Sequence, residues 1–182
     1  MNIDKIVDIV CSLKNKYQTN NPFLLCEAMG ISVIMQPMGK RQDSCKGFVT
    51  RNFGIDIITI NSDLSDRFQI FVCGHELGHI MMNPKQKTLS YSDNSYFDTT
   101  SSDEKEANYF AAELILSDDE VMEAVNEELT FNKAAAILCV PVEFLDLKLR
   151  IMCEKGYKLT PPMIALGDCF GEIEVKYDDD ES

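Results

Sequence analysis

The 182-residue chain contains only two histidines, and both lie in His75-Glu76-Leu77-Gly78-His79. On a helix, residues four apart stand one turn apart on the same face, so the two imidazoles can share one ion while Glu76 points beside it. That arrangement suits metal-assisted hydrolysis: two nitrogen ligands, a carboxylate positioned as a base, and a coordination position left open for water. Two satisfied core histidines, or a chance match, would leave the same pattern. That the chain has no other histidine, and that both flank a Glu, favours the metal reading.

A catalytic zinc normally takes three protein ligands, so a carboxylate or cysteine must complete the set. The next helical stretch, Asp103 through Leu114, supplies candidates. Its inward face is set by Ala107, Phe110, Ala111 and Leu114, with Glu104 on the edge of that face and Glu106 and Glu113 further round toward solvent. Asp103 rivals Glu104, because it falls on the apolar face, although it also suits an N-cap. Glu104 has a structural alternative of its own, a capping box with Ser101. The small alanines would let this helix approach the histidine helix closely.

The elements that position these residues read as an α+β fold: a sheet of three or more strands packed on the HExxH-bearing helix, followed by a helical C-terminal half. Ile3, Ile6, Val10, Leu13 and Tyr17 recur at helical spacing. A second short helix follows, with Asn21 as N-cap, Pro22 at its first position and Gly30 at its end. Residues 31–35, 47–50 and 55–60 are β-rich runs separated by Gly and polar residues. Asn61, Ser62 or Asp63 is expected to cap the long metal helix. The strand at 55–60 could pair an extended substrate along its edge, or be an interior strand. Residues 84–102 form a long polar loop. Beyond it come a helix near 103–116, a capping box at Ser117-Asp118-Asp119-Glu120, a helical pair around Pro141, an end at Gly156 and a weak strand at 172–177. The pair at 130–150 has the rhythm of a helix-turn-helix, but is read as a helical hairpin for partner recognition because the chain is acidic. The expected domains are 1–155, the catalytic body, and 156–182, an extension ending in a disordered acidic tail.

Thirty acidic against 17 basic residues give a net charge of −13, with no basic stripe to neutralise a phosphate backbone, which argues against direct nucleic-acid binding. No apolar run approaches a membrane span, and the N-terminus lacks the layout of a secretory signal. The seven cysteines, never spaced C-x-x-C, read as reduced thiols, most of them buried, in a cytoplasmic protein.

Taken together, the HELGH helix, the preceding Ile57-Ile58-Thr59-Ile60-Asn61 and the block Glu104-Lys105-Glu106-Ala107-Asn108-Tyr109-Phe110-Ala111-Ala112-Glu113-Leu114 resemble the ImmA/IrrE metallopeptidases. The last block matches that family's E-x-x-A-N-x-F-A-A-x-L pattern. Asn20-Asn21-Pro22-Phe23 and Lys46-Gly47-Phe48 extend the resemblance over roughly residues 1–155. It implies one zinc per chain held by His75, His79 and Glu104, with Glu76 as the base, and a helix-turn-helix repressor as the protein substrate. The family's usual His soon after the motif is replaced around Met82-Asn83, and the Pro closing the second block is Ser117. A non-proteolytic regulator that sequesters a partner, with zinc only stabilising its fold, is the alternative. For oxyanion stabilisation, Tyr91, Tyr96 and Tyr109 are unranked candidates.

Overall fold

The computed structural model describes residues 2–41, 43–52, 54–83, 90–91, 101–125, 130–160 and 174–175. The chain forms two compact units, Met1–Ile115 and Leu116–Ser182. The architecture is α+β, as the sequence implies.

In the first unit, α1 (Ile3–Tyr17) is capped by Asn2, whose side chain accepts from the Lys5 amide, and it buries Ile6, Val10 and Leu13. The short α2 (Pro22–Met29) begins and ends as expected: Asn21 accepts from the Phe23 amide, and Gly30 adopts φ 73°, a left-handed conformation that costs glycine little. Strands β1 (Ser32–Gln36), β2 (Gly47–Asn52), β3 (Ile55–Asn61) and the two-residue β4 (Ser90–Tyr91) form a mixed sheet in the order β1-β3-β2-β4. β1 runs parallel to β3, with Val33 opposite Ile58; β2 is antiparallel to β3, with Val49 opposite Ile58.

This order decides between the two readings of residues 55–60: β3 is hydrogen-bonded on both sides, an interior strand with no edge to offer an extended substrate. Its last residue corrects an expectation. Asn61 does not cap the next helix, α3 (Asp66–Met82), whose N-cap position is Ser65. Fully buried, Asn61 instead staples the β1–β2 connection. It accepts from the amides of Met38 and Asp63 and donates to the carbonyls of Gly39 and Cys45. Four satisfied bonds at one amide explain why a polar residue sits at the core end of the strand.

α3 packs against the sheet, α2 and α4 (Ser102–Ile115), and α1 packs on α4. Every residue from Phe71 to Ile80 is buried. Over that stretch the helix is enclosed all round, while Phe68 near its start is half-buried. A continuously buried helix has no apolar stripe for periodicity to detect.

The second unit is helical, with α5 (Asp118–Val125), α6 (Phe131–Ile137) and α7 (Val142–Glu154), and a two-residue strand pair, β5 (Leu159–Thr160) with β6 (Glu174–Val175). The Ser117/Glu120 capping box forms: Ser117 Oγ accepts from the Glu120 amide and the Glu120 carboxylate accepts from the Ser117 amide. α6 and α7 make the expected helical hairpin, joined through Cys139 at φ 54°. Lys148 of α7 is fully buried, and its ammonium lies 2.5 Å from Asp118 Oδ1, a pair the sequence reading did not anticipate. Most of the polar stretch 84–102 and the tail 178–182 lie outside the described residues, as does Cys169. Among the described residues no helix is long and apolar enough to cross a membrane.

The cysteines also depart from expectation. Cys26 and Cys73 are buried with their sulfurs 4.0 Å apart, Cys45 and Cys153 are half-buried, and Cys11 and Cys139 are exposed. Exposure follows helix rotation: Cys11 directly follows the buried Val10 on α1 and so faces away from α4.

Candidate metal centre

Two close-packed helices build the site. Gly74 and Gly78 of α3, one turn apart, meet Ala107 and Ala111 of α4, also one turn apart. A Cβ built on Gly78 would lie 2.9 Å from Ala107 Cα and 3.0 Å from its carbonyl oxygen, so α4 sits where only a glycine permits it. This backbone proximity lets short side chains of α4 reach α3.

Across that seam the Nε2 atoms of His75 and His79 lie 3.0 Å apart, with their rings edge-on at 85°. Glu104 Oε2 is 3.1 Å from His75 Nε2, and Oε1 is 3.3 Å from His79 Nε2. The three groups offer ligand atoms all within 4.8 Å of one another, the only such cluster of His, Cys or carboxylates among the described residues. Sequence rotation left Glu104 and Asp103 open; the geometry brings Glu104 to the histidines. Ser101 still caps α4 by accepting from the Glu104 amide at 3.1 Å, so half of the capping box forms while the Glu104 carboxylate turns away to the imidazoles.

Glu113 corrects the sequence reading. It is 3% exposed, not solvent-facing, because α1 covers that side of α4, and Lys14 Nζ donates to its carbonyl at 2.8 Å. Glu106 is half-buried. Of the tyrosines, Tyr109 is half-buried on α4, and the side chains of Tyr91 and Tyr96 lie outside the described residues. Asn108 was not singled out. It is buried, one turn after Glu104, with Oδ1 2.9 Å from His75 Nδ1. The available signal was a lone amide in the middle of the otherwise small and apolar inward face of α4.

Protonation states suit a cation. Burial pushes the His75 imidazole below its ordinary range, and its contacts with Glu104 and Asn108 only partly oppose this. Burial raises Glu104, but hydrogen bonds and charge from both histidines outweigh it and hold the carboxyl well below the usual range. Neutral imidazole beside ionised carboxylate is the form that binds metals. Glu76 is pushed far above the ordinary carboxylate range, by burial first and by the Glu104 charge second. Both its oxygens are buried without a hydrogen-bond partner among the described residues. A buried carboxylate without partners costs stability, so its retention calls for a ligand or a reacting group at this point. The donor set and this orphaned carboxylate both fit a metal ion. The histidines are buried, whereas the Glu104 side chain is 24% exposed, so the cluster reaches solvent from the Glu104 side.

An α+β body with an HExxH helix, a carboxylate one helix on and a buried glutamate inside the motif defines a metallopeptidase-type centre. Residues 26–150, more than half of the chain, match the peptidase family described as the IrrE N-terminal-like domain, and the chain belongs to that family. It is 36% identical over 136 residues to "Uncharacterized immunity region protein 2" of Bacillus phage phi105, covering 75% of this chain and 84% of the relative. It is 31% identical over 144 residues to metallopeptidase ImmA of Bacillus subtilis (strain 168), covering 77% of this chain and 81% of the relative.

Proposed function

We propose that this chain is a zinc-dependent endopeptidase in which His75, His79 and Glu104 hold the metal, Glu76 moves the proton, and the substrate is a DNA-binding repressor of the helix-turn-helix class. The observation that carries the peptidase reading is the buried Glu76 carboxylate, without a hydrogen-bond partner among the described residues, one residue after His75. A purely structural zinc site has no use for a base, and a sequestering regulator would gain stability by losing it. Zinc, when bound, polarises the scissile carbonyl and makes water nucleophilic near neutral pH. Glu76 takes the proton from the attacking water, an uptake its raised proton affinity favours, and the departing amine, the stronger base once the C–N bond breaks, draws that proton off. Neutral His75 and ionised Glu104 keep their lone pairs available at the metal point.

The substrate class rests on three supports. The resemblance implies repressor cleavage, one relative is named for a phage immunity region and another as a metallopeptidase, and the net charge of −13 attracts a basic partner. The test incubates the zinc-loaded protein and its Glu76→Gln variant with casein and, separately, with the repressor encoded nearest its gene, mapping any cut by mass spectrometry. The expected result is a discrete cut in the repressor by the wild type only. Efficient casein digestion with an untouched repressor overturns the substrate class, and cleavage by Glu76→Gln overturns the role of Glu76.

A further inference from the structure

Glu104 and Asn108 stand one turn apart on α4, facing His75 and His79 one turn apart on α3. Glu104 meets the Nε2 atoms of both rings, but Asn108 meets the opposite nitrogen of one ring only, with Oδ1 2.9 Å from His75 Nδ1. His75 and Asn108 are 0% and 1% exposed, so water does not compete for this contact. An amide oxygen only accepts, so the hydrogen on this bond belongs to Nδ1, and a neutral ring then carries its lone pair on Nε2.

From this contact, and building on the ligand assignment above, we infer that Asn108 is a positioning residue that fixes the Nδ1–H tautomer and ring angle of His75, aiming the Nε2 lone pair at the metal point with a neutral acceptor. Three features of the molecule converge on it. Asn108 Nδ2 is buried and has no hydrogen-bond partner among the described residues, so the amide is kept for its oxygen at the cost of an unsatisfied donor. The neighbouring Gly78–Ala107 contact holds the backbone beside Asn108 within touching distance of α3, which sets the reach of its short side chain. Two carboxylates already stand beside His75: Glu104, 3.1 Å from its Nε2, and Glu76, the next residue in the chain. A carboxylate at position 108 would add a third negative charge and make His75 a stronger donor to the metal, weakening the metal's pull on a substrate carbonyl. The amide orients the ring without that effect.

The experiment measures zinc affinity by competition with a chelator for the full chain and for Asn108→Leu and Asn108→Asp, with peptide hydrolysis followed in parallel. Leu matches the volume and removes the acceptor; Asp keeps the acceptor and adds charge. Expected is a ten- to hundred-fold loss of zinc affinity in Asn108→Leu, the usual range for removing such a partner. In Asn108→Asp, zinc affinity should be at or above wild type while kcat falls and KM stays. As a readout that does not depend on any variant folding, nitrogen-15 NMR of the zinc-loaded wild type should show the His75 proton on Nδ1. Wild-type affinity in Asn108→Leu, or a loss in Asn108→Asp equal to that in Asn108→Leu, overturns the inference while leaving the ligand set standing; a proton on Nε2 of His75 overturns both, because a protonated Nε2 has no lone pair for the metal. A wild-type chain that binds no zinc overturns the ligand set, and this inference with it.

Discussion

The close approach of the two site helices at Gly78 can be tested by adding a single methyl group there. In Gly78→Ala the new Cβ would lie 2.9 Å from Ala107 Cα, 3.0 Å from Ala107 O and 3.2 Å from Phe110 Cδ1. Carbon atoms pack at about 3.5–4.0 Å, so the shortfall against Ala107 Cα is roughly 0.6–1.1 Å. Two of these atoms are backbone, which cannot rotate aside, so α4 itself must move. Glu104 lies less than one turn before Ala107 and moves with it, away from contacts now at 3.1 and 3.3 Å. Functional constellations tolerate only about 0.5 Å of displacement, so the third ligand is lost before the fold is. For stability two effects compete. Replacing a helical Gly by Ala gains about 1 kcal/mol, while overpacking costs about 1–3 kcal/mol, leaving a net loss of about 0–2 kcal/mol. The expected outcome is a metal-free protein that unfolds cooperatively at slightly lower denaturant, with zinc affinity reduced at least about tenfold, or 1.4 kcal/mol. Gly74→Ala is the control. Its Cβ meets Ile115 Cδ1 at 3.0 Å, the free end of a side chain that can turn, and Ala111 at ordinary distances of 3.5 and 3.7 Å. It should keep zinc and be as stable as wild type or up to about 1 kcal/mol more so. Wild-type zinc affinity in Gly78→Ala, measured by chelator competition, would refute the claim that backbone proximity places Glu104.

Three further outcomes are expected. Glu104→Ala should purify without stoichiometric zinc by emission spectrometry, whereas Asp103→Ala and Glu106→Ala should retain it; the reverse pattern would move the third ligand to Asp103. Asp118→Asn, which takes this carboxylate from the buried Lys148 ammonium, should cost on the order of 3 kcal/mol at neutral pH in urea unfolding. Partial burial raises the Asp118 carboxyl, but hydrogen bonds and charge from Lys148 and then Lys155 outweigh it and hold it below its ordinary range. Its contribution is therefore present above the unfolded value of about 3.9 and lost as pH falls through the lower folded value, so the gap between wild type and variant should close in acid. A gap that instead widened in acid would show that the pair does not stabilise the ionised form. Lastly, Cys11 and Cys139 should be alkylated in the native protein, while Cys26 and Cys73 should react only after unfolding. Contact with Cys26, then burial, then the Glu76 charge push the Cys73 thiol up and away from the reactive thiolate. Native-state labelling of Cys73, read by peptide mass mapping, would contradict that burial.

The local parts of this protein were legible in the chain, because local signals act over one or two turns. Asn21, Pro22 and Gly30 delimit α2, Ser117 and Glu120 cap α5, and the four-residue spacing of His75 and His79 puts two imidazoles together wherever the segment is helical. Tertiary packing decided the rest. Whether β3 is an edge or an interior strand depends on which strands flank it, and nothing in Ile55–Asn61 records its neighbours. Glu113 looks solvent-facing when only α3 is considered as a partner, and is buried because α1 covers a second side of α4. The choice of Glu104 over Asp103 comes from the separation and rotation of two helices, set where Gly78 meets the backbone of Ala107. Asn108 reads as an ordinary helix polar residue until its oxygen is seen against His75 Nδ1. Contacts between residues about 30 positions apart have no local energetic signature, so the residues alone specified the histidine pair and its helix and only the family resemblance pointed to Glu104, while the fold brought Glu104 to the imidazoles, buried Glu76 and set Asn108 against His75.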